Sequence, residues 1–175
     1  KLQIEEKSKN FPIENREILV NALLNQYQKF EISEATSTNI ELLKDSKTFT
    51  ITTGHQLNLF TGPLYFLYKI ISVINLTKEL KTAYPENNFV PVYWMATEDH
   101  DFDEINFFNF KGKKIQWKKE SQGPVGRLST SGLEEVFEQF STELGLGNNA
   151  NYLRELFKKS YLEHKNLTDA TRYLA

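Results

Sequence analysis

The chain has 175 residues, 21 lysines and arginines against 23 aspartates and glutamates, a net charge of -2 and no cysteine. That balance lacks the basic excess that drives binding to a phosphate backbone, so nucleic acid is not an expected partner. The absence of cysteine excludes disulfides, thiolate metal sites and a cysteine nucleophile within these residues, and fits a cytoplasmic protein.

The most apolar run, residues 62–80, is interrupted by Lys69 and Lys78 and is shorter than a comfortable bilayer span, so no membrane association is expected. Residues 1–10 have no apolar core of the kind a signal peptide needs. The chain starts at Lys1 rather than Met and stops inside a helical pattern at 167–175, which reads as a segment of a larger enzyme.

In chain order, residues 1–13 are mixed and polar, with Phe11-Pro12 turning the chain. Ile18, Leu19, Ala22, Leu23 and Tyr27 recur near helical spacing and predict a helix over about 14–29. A short helical piece follows at about 39–43. Phe49-Thr50-Ile51-Thr52-Thr53 reads as a strand ending in Gly54-His55-Gln56. Thr61 can cap a helix and Pro63 suits its first turn, so a helix is predicted from Thr61 towards Lys81. It is apolar almost all round, which predicts burial between layers.

Phe89 to Thr97 reads as a second strand, with Pro91 the one residue that argues against it. Strand, helix and strand make one β-α-β unit, with parallel strands and a right-handed crossover. Residues 105–119 then look like a hairpin around Lys111-Gly112, and Gly123-Pro124-Val125-Gly126-Arg127 like a loop. Helices are predicted at about 132–144 and 151–163, with a last one from Leu167. The division is a helical lead-in (1–46), a β-α-β core (47–104), a hairpin and loop (105–130) and a helical stretch (131–175). The fold class is α/β: a parallel β-α-β core with flanking helices and a hairpin insertion.

Two polar clusters fall where the predicted strands end, the edge at which open α/β sheets bind ligands. The first joins a strand end to a helix start: Gly54, His55, Gln56, Asn58, Thr61 and Gly62. Its free amides and helix dipole suit an anion. The spacing matches neither the dinucleotide glycine pattern nor a P-loop. The plainer reading is a capped turn whose histidine satisfies nearby backbone.

The second cluster is Glu98-Asp99-His100-Asp101-Phe102-Asp103-Glu104, with five carboxylates and one imidazole in seven residues. Acidic runs are usually solvated faces. This one follows a buried strand and lies beside Trp94. Crowded carboxylates suit general acid–base work, and they can also hold Mg2+ beside phosphates or bind a substrate amine. The spacing is not that of a zinc site, and no metal ligand is assigned. Neighbouring parallel strands lie about 5 Å apart, so His55 and His100 can face one cleft. Arg127 can clamp a carboxylate or phosphate, although a surface ion pair is its plainer role. His164 falls on a predicted surface helix and is read as incidental.

Three motifs then carry a resemblance. Thr53-Gly54-His55-Gln56 with Phe60-Thr61-Gly62-Pro63-Leu64-Tyr65, Pro91 through Glu104, and Gly123-Pro124-Val125-Gly126-Arg127 together resemble the bacillithiol biosynthesis cysteine-adding enzymes, the cysteine ligases. The likeness covers about the first third of such an enzyme. It implies a Rossmann-like core with inserted segments and, further along, a coiled coil through which the full-length protein forms a homodimer. It also implies the joining of L-cysteine to the glucosamine amine of glucosaminyl malate, both small-molecule substrates. The activating cosubstrate stays open: the fold suggests a nucleotide such as ATP, with or without Mg2+.

On this reading His100 and Asp101 lead the catalytic set, with Asp103 and Glu104 in support. Gly54, His55, Gln56, Asn58, Thr61, Gly62, Trp94, Glu98, Asp99 and Arg127 bind substrate or anion. The alternatives are a metal-dependent phosphohydrolase or nucleotidyltransferase on the same carboxylates, and a non-catalytic fragment. The isolated segment is expected to be inactive.

Overall fold

Two neighbouring strands, β1 (Thr48–His55) and β2 (Asn88–Met95), form a two-stranded sheet in the computed structural model, which describes residues 1–175. The Asn88 amide donates to the Lys47 carbonyl and the Ala96 amide to the His55 carbonyl, at 3.0 and 3.1 Å. The same register offset at both ends makes the pair parallel. It also disposes of the difficulty with Pro91. Donors towards β1 alternate by two along β2, and Pro91 is an odd number of residues from both Asn88 and Ala96. Its missing N–H therefore falls on the edge that faces away from β1.

The contacts divide the chain into two units, Lys1–Thr53 with Ile70–Val92, and Gly54–Lys69 with Tyr93–Ala175. The first unit holds helices α1 (Leu2–Asn10), α2 (Ile13–Tyr27) and α3 (Glu34–Leu42). The α1 helix is absent from the sequence-based expectation because it buries no residue and so has no apolar stripe to read. Its exposed surface is helix-forming Glu and Lys, with Glu5 and Lys9 four apart. Val20, Ile40, Leu43 and Val90 form this unit's core. Buried Arg16 donates to the carbonyls of Leu43 and Ser46 at 3.1 and 3.3 Å, which supplies partners and positive charge at the end of α3. Ser33 caps the start of α3 by accepting from the Thr36 amide.

The crossover helix, α4 (Tyr65–Ala83), differs from expectation in two ways. It starts four residues late, because Phe60, Thr61 and Gly62 all take positive φ (47°, 66° and 54°). A right-handed helix cannot run through such residues. A 3-10 turn, Leu59–Thr61, occupies the place of the predicted first turn. The helix is also not enclosed: only Phe66 and Thr77 are buried, while Tyr68 and Ile71 are 61% and 51% exposed. A sheet of two strands offers one narrow face, too little to cover a helix that is apolar on several sides.

The second unit carries α5 (Phe102–Ile105), a hairpin of β3 (Phe107–Phe110) and β4 (Lys113–Gln116), α6 (Leu133–Leu144), α7 (Asn148–Phe157) and α8 (Leu167–Leu174). The strands β3 and β4 pair antiparallel, with Phe108 opposite Ile115. Both point inward, and the next pair, Asn109 and Lys114, points to solvent. Lys111 and Gly112 make the two-residue loop with φ of 49° and 76°, as a type I′ turn requires. A π-helical turn, Lys158–Leu162, extends α7. No helix is long and apolar enough to cross a membrane.

The core of this unit is largely aromatic: Phe102, Phe108, Trp117, Phe140, Phe157 and Tyr161 are buried together. Phe140 is at its centre, with ring centroids of Phe60, Phe108, Phe110 and Phe157 between 5.0 and 6.0 Å away. Phe140→Ala should therefore destabilise the chain by about 3–5 kcal/mol. Denaturant unfolding followed by tryptophan fluorescence, with Trp117 buried against Phe102, reads this directly.

Candidate active site

The two polar clusters do meet, and the contact is made by Gln56. Its Nε2 donates to Asp99 Oδ2 and to Glu104 Oε2, both at 2.8 Å. One carboxamide at the end of β1 thus bridges two carboxylates of the acidic run that follows β2. Asn58 adds a second tie, from Nδ2 to the Glu104 carbonyl at 3.4 Å. Parallel pairing brings both strand ends to the same edge, so residues more than forty apart in sequence become neighbours.

The turn after β1 is held from below. The Phe60 amide donates to the Tyr161 hydroxyl at 2.7 Å, and the Phe60 ring packs against Phe108, Phe140 and Phe157. Tyr161 is fully buried, and burial pushes its phenol well above the usual tyrosine range, so it stays neutral. Gly62 closes the turn. A Cβ there would lie 2.5 Å from the Asn58 Cβ, and its φ of 54° suits glycine. Asn58 is buried, and its Oδ1 has no partner in the chain. At the start of α4 the amides of Leu64 and Tyr65 reach no acceptor.

The histidines are placed differently from each other. His55 is only 8% exposed, its Nδ1 lies 3.0 Å from the Gln56 carbonyl, and its ring packs against Tyr65 and Phe66. His100 is exposed, and its amide donates to Asp99 Oδ1 at 2.6 Å. Asp101 is exposed, and its amide donates to the same oxygen at 3.1 Å. Asp103 accepts from Asn106, and Glu98 accepts from the indole of exposed Trp94, each at 3.4 Å. Thr61 is half-buried, and Arg127 is exposed, its amide donating to the Pro124 carbonyl at 3.1 Å and its guanidinium without a hydrogen bond or ion pair. No three His, Asp or Glu side chains converge on a point that could hold a metal ion.

Four further residues shape the site. Lys69 Nζ donates to the Gly54 carbonyl at 2.6 Å, and Tyr65 packs on His55. Tyr161 pins Phe60, and the Thr168 hydroxyl donates to the Gly126 carbonyl at 2.8 Å. Lys69 was visible in sequence as a charge interrupting an apolar run. Tyr161 and Thr168 carry no local signal, since each acts across a long sequence separation. Burial also raises the Tyr93 phenol, at the end of β2, to about 12.

Asp99 has a carboxyl held below its ordinary value of 3.8, chiefly by the Gln56 carboxamide and then by the amides of Asp101 and His100. A folded pKa below the unfolded one contributes stability above the ordinary carboxylate range. That contribution is lost as pH falls through the lowered value. Asp99 is half-buried at the surface and its contacts are screened by solvent, so Asp99→Asn should cost less than about 1 kcal/mol at neutral pH. The gap between the two proteins should close on acidification, measured by urea unfolding across a pH series.

Comparison with known proteins agrees with this architecture. All of residues 1–175 match the family described as "Bacillithiol biosynthesis BshC, N-terminal Rossmann-like domain". Relatives described as "Putative cysteine ligase BshC" include one from Flavobacterium johnsoniae, 69% identical over 99% of this chain and 33% of the relative. One from Flavobacterium psychrophilum is 68% identical over 100% and 33%. A third, from Bacillus cereus, is 37% identical over 91% and 28%. The chain thus spans about a third of the length of these relatives. With its parallel strand pair and crossover helix, this chain belongs to the bacillithiol biosynthesis BshC family, as a Rossmann-like α/β segment.

Proposed function

We propose that the chain carries part of the active site of a carbon–nitrogen ligase that adds L-cysteine to the glucosamine amine of glucosaminyl malate. The observation that carries this reading is the Gln56 bridge to Asp99 and Glu104 at the carboxyl ends of two parallel strands. Ligands of open α/β sheets bind at that edge. The names of the relatives supply the ligase class and the cysteine.

Amide formation needs a carboxylate activated as an acyl phosphate or adenylate, which a bound nucleotide would supply. The residues fit an anion there: Leu64 and Tyr65 present free amides at the start of α4, and half-buried Thr61 precedes them in the chain. The attacking amine must lose a proton as its nitrogen bonds to the carbonyl carbon and the activating group leaves with its oxygen. On this reading His100 and Asp101, exposed on the acidic turn, take that proton, with Asp103 and Glu104 in support. Gln56 is a positioning residue: with both its N–H donors on carboxylates, it orients the acidic turn and leaves the negative charge for a substrate ammonium.

The test uses a full-length protein carrying this sequence, expressed in cells that lack their own enzyme. His100→Ala and Asp101→Ala should each lower bacillithiol output at least a hundredfold with an unchanged circular dichroism spectrum, as expected on removing an acid–base group. Normal thiol output from both variants would remove them from the mechanism.

A further inference from the structure

A cleft of about 260 Å3 opens beside the acidic turn, lined by Thr97, Glu98, Pro124, Gly126, Arg127 and Thr168. Three segments converge on its floor. The Val125 amide donates to the Asp99 carbonyl at 2.7 Å, and the Gly126 amide to the Thr97 carbonyl at 3.0 Å. From α8, the Thr168 hydroxyl donates to the Gly126 carbonyl. A Cβ at position 126 would meet Thr168 Oγ1, Thr97 Cβ and the Thr97 carbonyl at 2.5–2.8 Å, so only glycine lets the three segments close. The cleft is therefore a built feature of this unit, with a floor of fixed backbone.

Its two charged side chains are of opposite sign and are not paired with each other. Glu98 is steadied by the Trp94 indole, and the Arg127 guanidinium has no partner in the chain. Guanidinium recognises carboxylate through two parallel N–H donors, and a carboxylate recognises ammonium. The volume lies below the range of about 300–1,000 Å3 typical of drug-sized ligands, so the occupant is small.

We infer that this cleft binds a small zwitterionic α-amino acid, with its carboxylate on Arg127 and its ammonium on Glu98. This rests on the ligase reading, because it gives that reaction's amino-acid substrate a seat beside the acidic turn. Arg127 and Glu98 recognise the backbone groups shared by all such amino acids, and neither reads the side chain.

The experiment is a titration of the 175-residue chain followed by amide chemical shifts, with L-cysteine, L-serine, cysteamine and N-acetyl-L-cysteine as probes. L-Cysteine and L-serine should shift the amides of Glu98, Gly126, Arg127 and Thr168 saturably. Cysteamine lacks the carboxylate and N-acetyl-L-cysteine lacks the ammonium, so neither should. Arg127→Gln and Glu98→Gln should each weaken L-cysteine binding at least tenfold, with the remaining spectrum unchanged. Equal binding of cysteamine, unchanged affinity in Arg127→Gln, shifts confined to other residues, or no saturable shift would each overturn the assignment. Ligase activity is then read separately in a full-length protein carrying this sequence. Normal amide formation in Arg127→Gln would sink the subsite and leave the ligase reading standing. Cysteine bound in the cleft of a protein that makes no amide would do the reverse.

Discussion

The hydrogen bond from the Phe60 amide to the buried Tyr161 hydroxyl is the constraint on which the site's geometry depends. Phe60 and Thr61 both hold positive φ, a conformation that costs non-glycine residues of order 1–3 kcal/mol each. The turn persists because its surroundings over-determine it. The Phe60 ring meets three other aromatic rings, and such pairs contribute about 0.5–1.5 kcal/mol each beyond the area they bury. The amide that the left-handed turn frees from helical pairing finds a partner in a phenol a hundred residues away. This arrangement delays the start of α4 and leaves the helix's first amides open beside Thr61.

Above that turn, charge is organised around Gln56. Asp99 and Glu104 would repel one another if left bare, and a neutral carboxamide donating to both relieves this without neutralising either. Asp99 also accepts from the amides of His100 and Asp101, which folds the acidic run back on itself. The turn is thus a shaped cluster rather than a solvated rim, although its outermost side chains, His100 and Asp101, remain exposed. The loop at Gly126 seats against the same turn, with the Val125 amide on the Asp99 carbonyl and the Gly126 amide on the Thr97 carbonyl, and a cleft opens where they meet.

Much of this architecture was legible from residues close together in the chain. The Phe89–Thr97 apolar run, the Lys111-Gly112 turn and the helix expected at about 132–144 each match an element found. Local periodicity and turn chemistry specify such elements because the interactions involved span only a few positions. The boundaries that failed are those set from a distance. The start of α4 was displaced by Tyr161, and α1 had no buried face to announce it. The burial expected of α4 was a statement about neighbours, and the two-stranded sheet does not provide them.

At the site, the sequence determined which groups are available: an amide-rich turn and a dense carboxylate run at two strand ends, one parallel crossover apart. Only the tertiary structure decided their use. It turned His55 into an aromatic pocket, gave Gln56 the bridging role and buried Asn58 with an unanswered oxygen. It also brought Thr168 onto Gly126 beside an unpaired Arg127. The physical reason is one of range. Hydrogen-bond direction and desolvation are properties of the assembled surroundings, and residues forty to a hundred positions away supply those surroundings.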